Sequence, residues 1–370
     1  MISAVTFSGC NLFGSKEEVD NRTPLEAPTY SLYDNYLVWD EVENAVGYIV
    51  SVNGVEQSMQ TTCNYTMDTD KDVSVQVKAV AEPSSKELKD SDLGSAIKRQ
   101  ADPKPNGVLD EEQLQEMANT QDSGTYMIDL PSSAEAYSLS FAETKSTYAI
   151  VVPEEVRLIH VTTDSDGANV SFKLESRATP FILELAGAKL IGRSDNAVIN
   201  ASTSSLTTNV NVVIRSLTEE NAGAPVNSIT AGASTVTGSY GKSGGFFGGA
   251  GKGGTGGTGP AAVIAERVLF SGNASVTLTG GKGGTGGHGG DNSSNLGGDG
   301  GKGGTGGNAV SGKAYINIPN RLVSLLGGEG GAGGAPGSSF NLFASPSAGA
   351  KGSTGGSAAE IVIFDGEVKK

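Results

Sequence analysis

The sequence predicts an all-β chain with two modules: an N-terminal β-sandwich and a C-terminal β-solenoid that carries glycine-rich segments. Three observations predict it. Short runs rich in Val, Ile and Thr alternate with Asn, Asp, Gly and Ser turns along residues 27–240, and helical periodicity is all but absent there. Glycine supplies 54 of 370 residues, mostly in the second half, while aromatic residues are only 6%. That half therefore cannot be an ordinary domain packed on large side chains. Finally, the glycines keep a phase of three and return at near-constant intervals, which a flexible linker does not require.

The first module spans 27–99. SLYDNYLVWDEV places Leu37 and Trp39 on one face, and Tyr48, Val50 and Val52 alternate before the hairpin pair Asn53-Gly54. TTCNYTM follows, then DVSVQVKAVA with Val73, Val75, Val77 and Ala79 on one face, then LGSAIKR. These residues resemble a fibronectin type III domain: L-x-W at Leu37–Trp39, N-A-x-G-Y at Asn44–Tyr48, and the V-x-V-x-V-x-A strand. The resemblance covers about 70 residues and implies an immunoglobulin-like sandwich with Trp39 in its core and the module acting as a spacer. Val73 stands where many members carry an aromatic. Cys63 is expected to be a small buried hydrophobe.

Residues 100–124 contain Pro103, Pro105 and Gly107 and are predicted to be an acidic linker. Asp110 with Gln113 forms a capping-box pattern for one short helix over 111–118. Residues 125–240 then give strand after strand, among them STYAIVVPEEVRLIHVTTD, NVSFKLES and PFILELAGAKLIG. A solenoid is favoured over a second sandwich because the pattern runs on into a repeat.

That repeat organises the glycine-rich region, 241–370. Pro260-Ala-Ala-Val, Asn308-Ala-Val-Ser and Ser357-Ala-Ala-Glu each follow a glycine tract, at spacings of 48 and 49. The strand holding Ala274, Val276 and Leu278 is expected to correspond to the one holding Ala314, Ile316 and Ile318, and Asn196–Ser216 resembles the strand part without the glycines. Of the 28 residues from Gly280 to Gly307, 16 are glycine, with Lys282, Thr285 and His288 at every third position. A polyproline-II helix repeats every three residues, so GGX leaves two bare backbone faces and one row of side chains. Bare faces let neighbouring segments exchange N–H···O=C bonds. Similar tracts lie at 248–259, 327–337 and 348–356. The tracts are similar to the polyglycine-II sandwiches of phage tail-tip adhesins, in their GGX phase alone, and the strand region loosely resembles parallel β-helix proteins of the pectin-lyase type. Collagen is excluded by the scarcity of proline and the shortness of the runs. A calcium β-roll fails because Ser293 fills the apolar slot of Gly286–Ser294.

The N-terminus reads MISAVTFSGC. Phe7-Ser8-Gly9-Cys10 looks like the lipobox of a bacterial lipoprotein, which would make Cys10 the lipidated residue and 1–26 a truncated signal and tether. The resemblance implies a chain anchored in the bacterial cell envelope and facing outside the cytoplasm. A net charge of −15, with 22 acids and 9 bases in residues 1–125, argues against nucleic acid as a partner. Two cysteines exclude a disulfide framework, and two histidines leave a metal site or catalytic triad poorly supplied. No cofactor, no metal and no catalytic set is indicated. The only loose catalytic candidates are Arg157, Asp164 and Asp166, near His160, for which a turn is the simpler account. The recurring GKGGTGG makes Lys252, Thr255, Lys282, Thr285, Lys302 and Thr305 a candidate ligand stripe. The expectation is a non-enzymatic surface protein that meets glycans or surface proteins through its glycine-rich part. The alternatives are a carbohydrate-active enzyme of the β-helix class and a purely structural stalk.

Overall fold

The structure, a computed structural model, describes residues 20–122, 124–141, 146–201, 210–218, 226–245, 248–293, 296–340 and 345–370. Cys10 lies outside them. The chain divides into two units: one runs to Ser31 and includes Leu37–Thr66 and Asp72–Arg99, and the other comprises Leu32–Tyr36, Met67–Lys71 and Gln100–Lys370. Almost all regular structure is β, with one six-residue helix among the described residues.

In the first unit, Val55–Glu56, Ala45–Val52, Val73–Ala81 and Ile97–Arg99 form an antiparallel four-stranded sheet. Asn53 and Gly54 both adopt positive φ, 50° and 82°, as a two-residue hairpin turn requires. Val73, Val75, Val77 and Ala79 are buried with Leu37, Trp39 and Val50, and Trp39 meets the Tyr48 ring edge-on at 5.5 Å. Cys63 departs from expectation. It is half-buried, and its part is played by the backbone, whose carbonyl accepts the Trp39 N–H at 3.0 Å.

The second unit is built on one 16-stranded sheet whose described strand pairs are parallel, except for the hairpin of Thr120–Asp122 with Thr125–Asp129. Two main ladders run through the sheet, and Ile199–Asn200 links them by pairing with both Ala168–Leu174 and Val263–Gly272. One stacks Ala136–Phe141, Leu158–Thr163, Phe181–Ala186, Val212–Leu217, Val263–Gly272 and Val310–Leu326. The other stacks Thr125–Asp129, Thr147–Val152, Ala168–Leu174, Lys189–Ile191, Ser228–Thr230 and Val276–Thr279, and rejoins the first at the far end of Val310–Leu326. That last strand turns its corner where Asn320 has φ 56°.

Stacking in register puts like beside like. Ile159, Leu183, Ile214, Phe270 and Ile316 form one buried column, and Ala168, Leu190, Ile229, Leu278 and Leu325 form another. Each such side chain contributes about 1.5–3 kcal/mol when fully buried, so a narrow interior with few aromatic residues still yields a continuous core. Arg177 is also buried and donates to the carbonyls of Val156 (2.8 Å), Val152 (3.1 Å) and Pro153 (3.0 Å). Burial lowers its pKa to about 10.

Four expectations need correction. Residues 100–124 are part of this unit rather than a linker: Val108–Leu109 pairs with Ala136–Phe141, and Leu114 is fully buried in the main core. The helix covers Glu111–Glu116, shorter than 111–118, with both capping-box bonds of Asp110 and Gln113 at 3.0 Å. The stacking offset is not constant: Val263 faces Val310 and Lys313 faces Glu360 (47), Arg267 faces Lys313 across a register shift (46), and Gly356 donates to Asn308 (48). Ala314 pairs with Val268, while Val276 pairs with Val323, so the strand pair matched by sequence pattern belongs to two different ladders. Strands of both ladders share the same small apolar alternation, which is why the pattern alone could not separate them.

Candidate functional site

The glycine-rich stretches form six extended segments: 232–244, 250–260, 280–291, 297–308, 327–338 and 347–356. They make three hairpins. The first, third and fifth segments leave strands that are stacked in parallel, and they are themselves parallel: Gly238 donates to Thr285 (2.9 Å), Gly241 to His288 (2.9 Å), Gly283 to Glu329 (2.8 Å) and Gly286 to Ala332 (2.8 Å). The second, fourth and sixth return toward the strands and are likewise parallel, with Gly256 donating to Lys302 (3.0 Å) and Gly303 to Ala350 (2.9 Å). Between the two rows the bonds are antiparallel: Gly284 to Gly257 (2.7 Å), Gly304 to Gly284 (2.8 Å), Gly331 to Gly304 (2.8 Å) and Gly352 to Gly331 (2.9 Å). The result is a two-layer strip in which each segment meets the next one and the next but one along the chain.

This arrangement explains the glycine spelling residue by residue. In the third segment, a Cβ on Gly283, Gly286 or Gly289 would overlap carbonyl oxygens of the fourth, at Gly304, Gly301 and Gly298. One on Gly284, Gly287 or Gly290 would overlap carbonyls of the first, at Val236, Ser239 and Lys242. Both non-X positions must therefore be glycine. The end segments lack a neighbour on one side and relax to one glycine in three. In the first, Gly238 and Gly241 face the second segment, while Val236, Ser239 and Lys242 carry exposed side chains. In the sixth, Gly349, Gly352 and Gly355 face the fourth, while Ala348, Lys351 and Thr354 are exposed. The change from GGX to GXX thus marks where the strip begins and ends. The sequence expectation divided segment 232–244, giving 232–240 to strands and 241–244 to the glycine-rich region; the signal that joins them is the single-glycine phase of Gly238, Gly241 and Gly244.

The X residues line the outer faces. Lys282, Thr285, His288 and Lys302 are exposed, with buried glycine pairs between them. The candidate stripe does not form one surface. Lys282 and Thr285 belong to one layer, where Thr285 pairs with Thr237 (3.4 Å) and His288 stacks on Tyr240 (5.2 Å between centroids, 9° between planes). Lys252, Thr255, Lys302 and Thr305 belong to the other, where Thr305 meets Thr258 at 3.4 Å. Sequence repetition could not separate them, because consecutive segments of one hairpin carry the same motif on opposite faces. Cross-segment hydrogen bonds tie each row. The Ser338 hydroxyl (2.5 Å) and N–H (2.7 Å) both donate to Asp291 and hold its carboxyl below the usual range. The N–H (2.7 Å) and hydroxyl (2.9 Å) of Ser347 do the same for Asp299.

The three hairpins reverse at one common end. There the Asn292 N–H donates to Ser338 (3.0 Å), its side-chain amide donates to Gly248 (2.8 Å), and Asn292 bridges Ser339. Phe340 is 74% exposed and Leu296 36% exposed at this end.

On the strand part, Arg157, Asp164 and Asp166 do not converge. Arg157 pairs with Glu135 (3.3 Å), and Asp164 accepts the N–H groups of Asp166 and Gly167, each at 3.0 Å, as a turn residue does. His160 instead faces Glu184 (3.3 Å) across the ladder, and Arg215 pairs with Glu184 (2.7 Å) and Asp102 (2.8 Å). Burial pushes the Glu184 carboxyl up, but the hydrogen bond with His160 and the Arg215 charge outweigh it and hold the group below the ordinary value. Arg215 also pairs with Asp34 (3.1 Å), so one guanidinium faces three carboxylates, and Ser138 lies in register with His160 on the neighbouring strand. Among the described residues no His, Cys, Asp or Glu group could hold a metal ion, and no helix is long and apolar enough to cross a membrane. No protein-family model, no curated protein and no solved structure matches this chain.

Proposed function

We propose that this chain is a bacterial cell-envelope protein that binds surface partners, glycans or proteins, through the reversing ends of its glycine hairpins. In this reading Cys10 carries the lipid anchor, the fibronectin type III-like module is a spacer, and the parallel ladders are a β-solenoid extended by polyglycine-II-like segments. The observation that carries it is the common hairpin end, where Asn292 joins all three reversals and Phe340 stands 74% exposed. Tyr240 (75%) and Val236 (56%) are also exposed on the strip, so what selects Phe340 is its place beside the Asn292 bonds that join the hairpins, not its exposure alone. A backbone-packed stem holds its end in place because its bonds are backbone to backbone and need no side-chain rotamers to be ordered. Binding is favoured over catalysis because Arg157, Asp164 and Asp166 are scattered over separate local contacts.

The test uses the full chain on a glycan array and on intact cells, with Phe340→Ser as the variant. The proposal expects binding that this substitution abolishes without moving the melting temperature. Binding that survives the substitution would reject the hairpin end as the site, and the absence of any ligand would favour the structural-stalk alternative. Mass spectrometry of the membrane fraction, with Cys10→Ser as control, tests the anchor separately.

A further inference from the structure

A cleft of about 150 Å³ opens on the outer face of the second ladder, far in sequence from the glycine strip. Its floor is apolar: Met127 faces Ala149 along the parallel strands, with Val151 beside them. Its rim is polar and basic. Ser171 and Lys173 come from strand Ala168–Leu174, Asn200 lies in register with Lys173, and Arg193 and Asn196 come from the loop above. The loop is pinned in place, since the Arg193 N–H donates to the Ser171 hydroxyl (3.4 Å) and the Asn196 N–H to the Arg193 carbonyl (2.9 Å).

We infer that this cleft binds a compact carboxylate carried on an apolar or ring-shaped body, with Arg193 and Lys173 holding the anion and Met127, Ala149 and Val151 the body. Three observations carry the inference. Among the described residues no carboxylate lines the cleft, although the chain has a net charge of −15. Among the described residues neither the Arg193 nor the Lys173 side chain has an ion-pair partner. Asp129, in register with Val151, and Asp195, on the Arg193 loop, flank the cleft but are held by neutral donors, the Asn119 amide (2.7 Å) and the Thr235 N–H (2.9 Å), rather than by Arg193 or Lys173. A planar guanidinium beside a point-charge ammonium suits a carboxylate, which Arg can grip with two parallel bonds. The volume is below the ~300–1,000 Å³ typical of a site that encloses a whole ligand, so the cleft takes one end group. An acidic sugar unit and a short free carboxylate share this chemistry. The inference is independent of the hairpin ends and of any ligand bound there.

The experiment titrates the full chain with D-glucuronate, butyrate, D-glucose and inorganic phosphate and follows the methionine methyl resonances. Met127, one of five methionines and 38% exposed, reports on the cleft directly. Saturable shifts of the Met127 methyl are expected with glucuronate, butyrate or both; glucuronate alone identifies a sugar acid and butyrate alone a free carboxylate. Arg193→Gln should weaken binding by about ten-fold or more while leaving the other methyl resonances unmoved. Lys173→Gln, at an exposed position, should weaken it less. Glucose binding as well as glucuronate, phosphate binding better than either carboxylate, no shift with any probe, or full affinity in Arg193→Gln would each overturn the inference.

Discussion

Gly284→Ala isolates the packing rule of the glycine strip. The backbone of Gly284 is not in the left-handed region, so an L residue can adopt it. Judged by backbone alone, the substitution would stabilise the chain by about 0.4–1 kcal/mol, by restricting the unfolded state. The neighbours reverse that sign. The new Cβ would overlap the Val236 carbonyl of the first segment, a backbone atom that no rotamer change can move. Relief requires the third segment to withdraw from the first two. Two bonds tie the third segment to the first two at that junction: Gly284 to Gly257 (2.7 Å) and Gly238 to Thr285 (2.9 Å). At about 1 kcal/mol net for each bond, and more where a buried partner is left unpaired, the loss is about 2 kcal/mol. For a unit of this size that lowers the melting temperature by roughly 5 °C. Circular dichroism melting gives the first number, and hydrogen exchange across 280–307 shows whether the loss is local. Unchanged melting with unchanged exchange in that window would refute the claim that carbonyl contact, rather than chance composition, demands glycine there.

Three further outcomes follow from the same geometry. Thr285→Ala and Thr354→Ala, both at exposed positions, should each change stability by no more than about 0.5 kcal/mol in denaturant titration. Arg177→Met should cost about 2–4 kcal/mol in the same assay, because it strands the carbonyls of Val152, Pro153 and Val156 in the interior. Glu184 contributes stability that depends on pH. Its folded pKa lies below the ordinary 4.5, so its contribution is complete above that value and is lost as pH falls through the folded one. Glu184→Gln should therefore flatten the acid limb of the stability curve below about pH 4.5, and an unaltered limb would show that the cluster with His160 and Arg215 is energetically silent.

Much of this molecule was legible in its sequence, for reasons that are local. Alternation of Val and Ile marks strands wherever one face is buried. The positive φ of Asn53-Gly54 and the capping box of Asp110 and Gln113 depend on residues only a few positions apart. A phase of three over Gly280–Gly307 states that two backbone faces must stay bare, because any Cβ there would meet another chain segment. Tertiary structure alone decided which segment that would be. It split the GKGGTGG motifs between opposite faces, so Lys282 and Lys302 do not share a surface although their local sequences agree. It brought Tyr240 onto His288, 48 residues away, and made Leu114 part of the core although its surroundings read as a linker. It also placed Arg193 over Ser171, where no spacing rule would join them. Sequence patterns encode what each residue tolerates next to it. Which neighbour arrives is settled by register between segments about 47 residues apart, and that information resides in the stacking of the whole ladder.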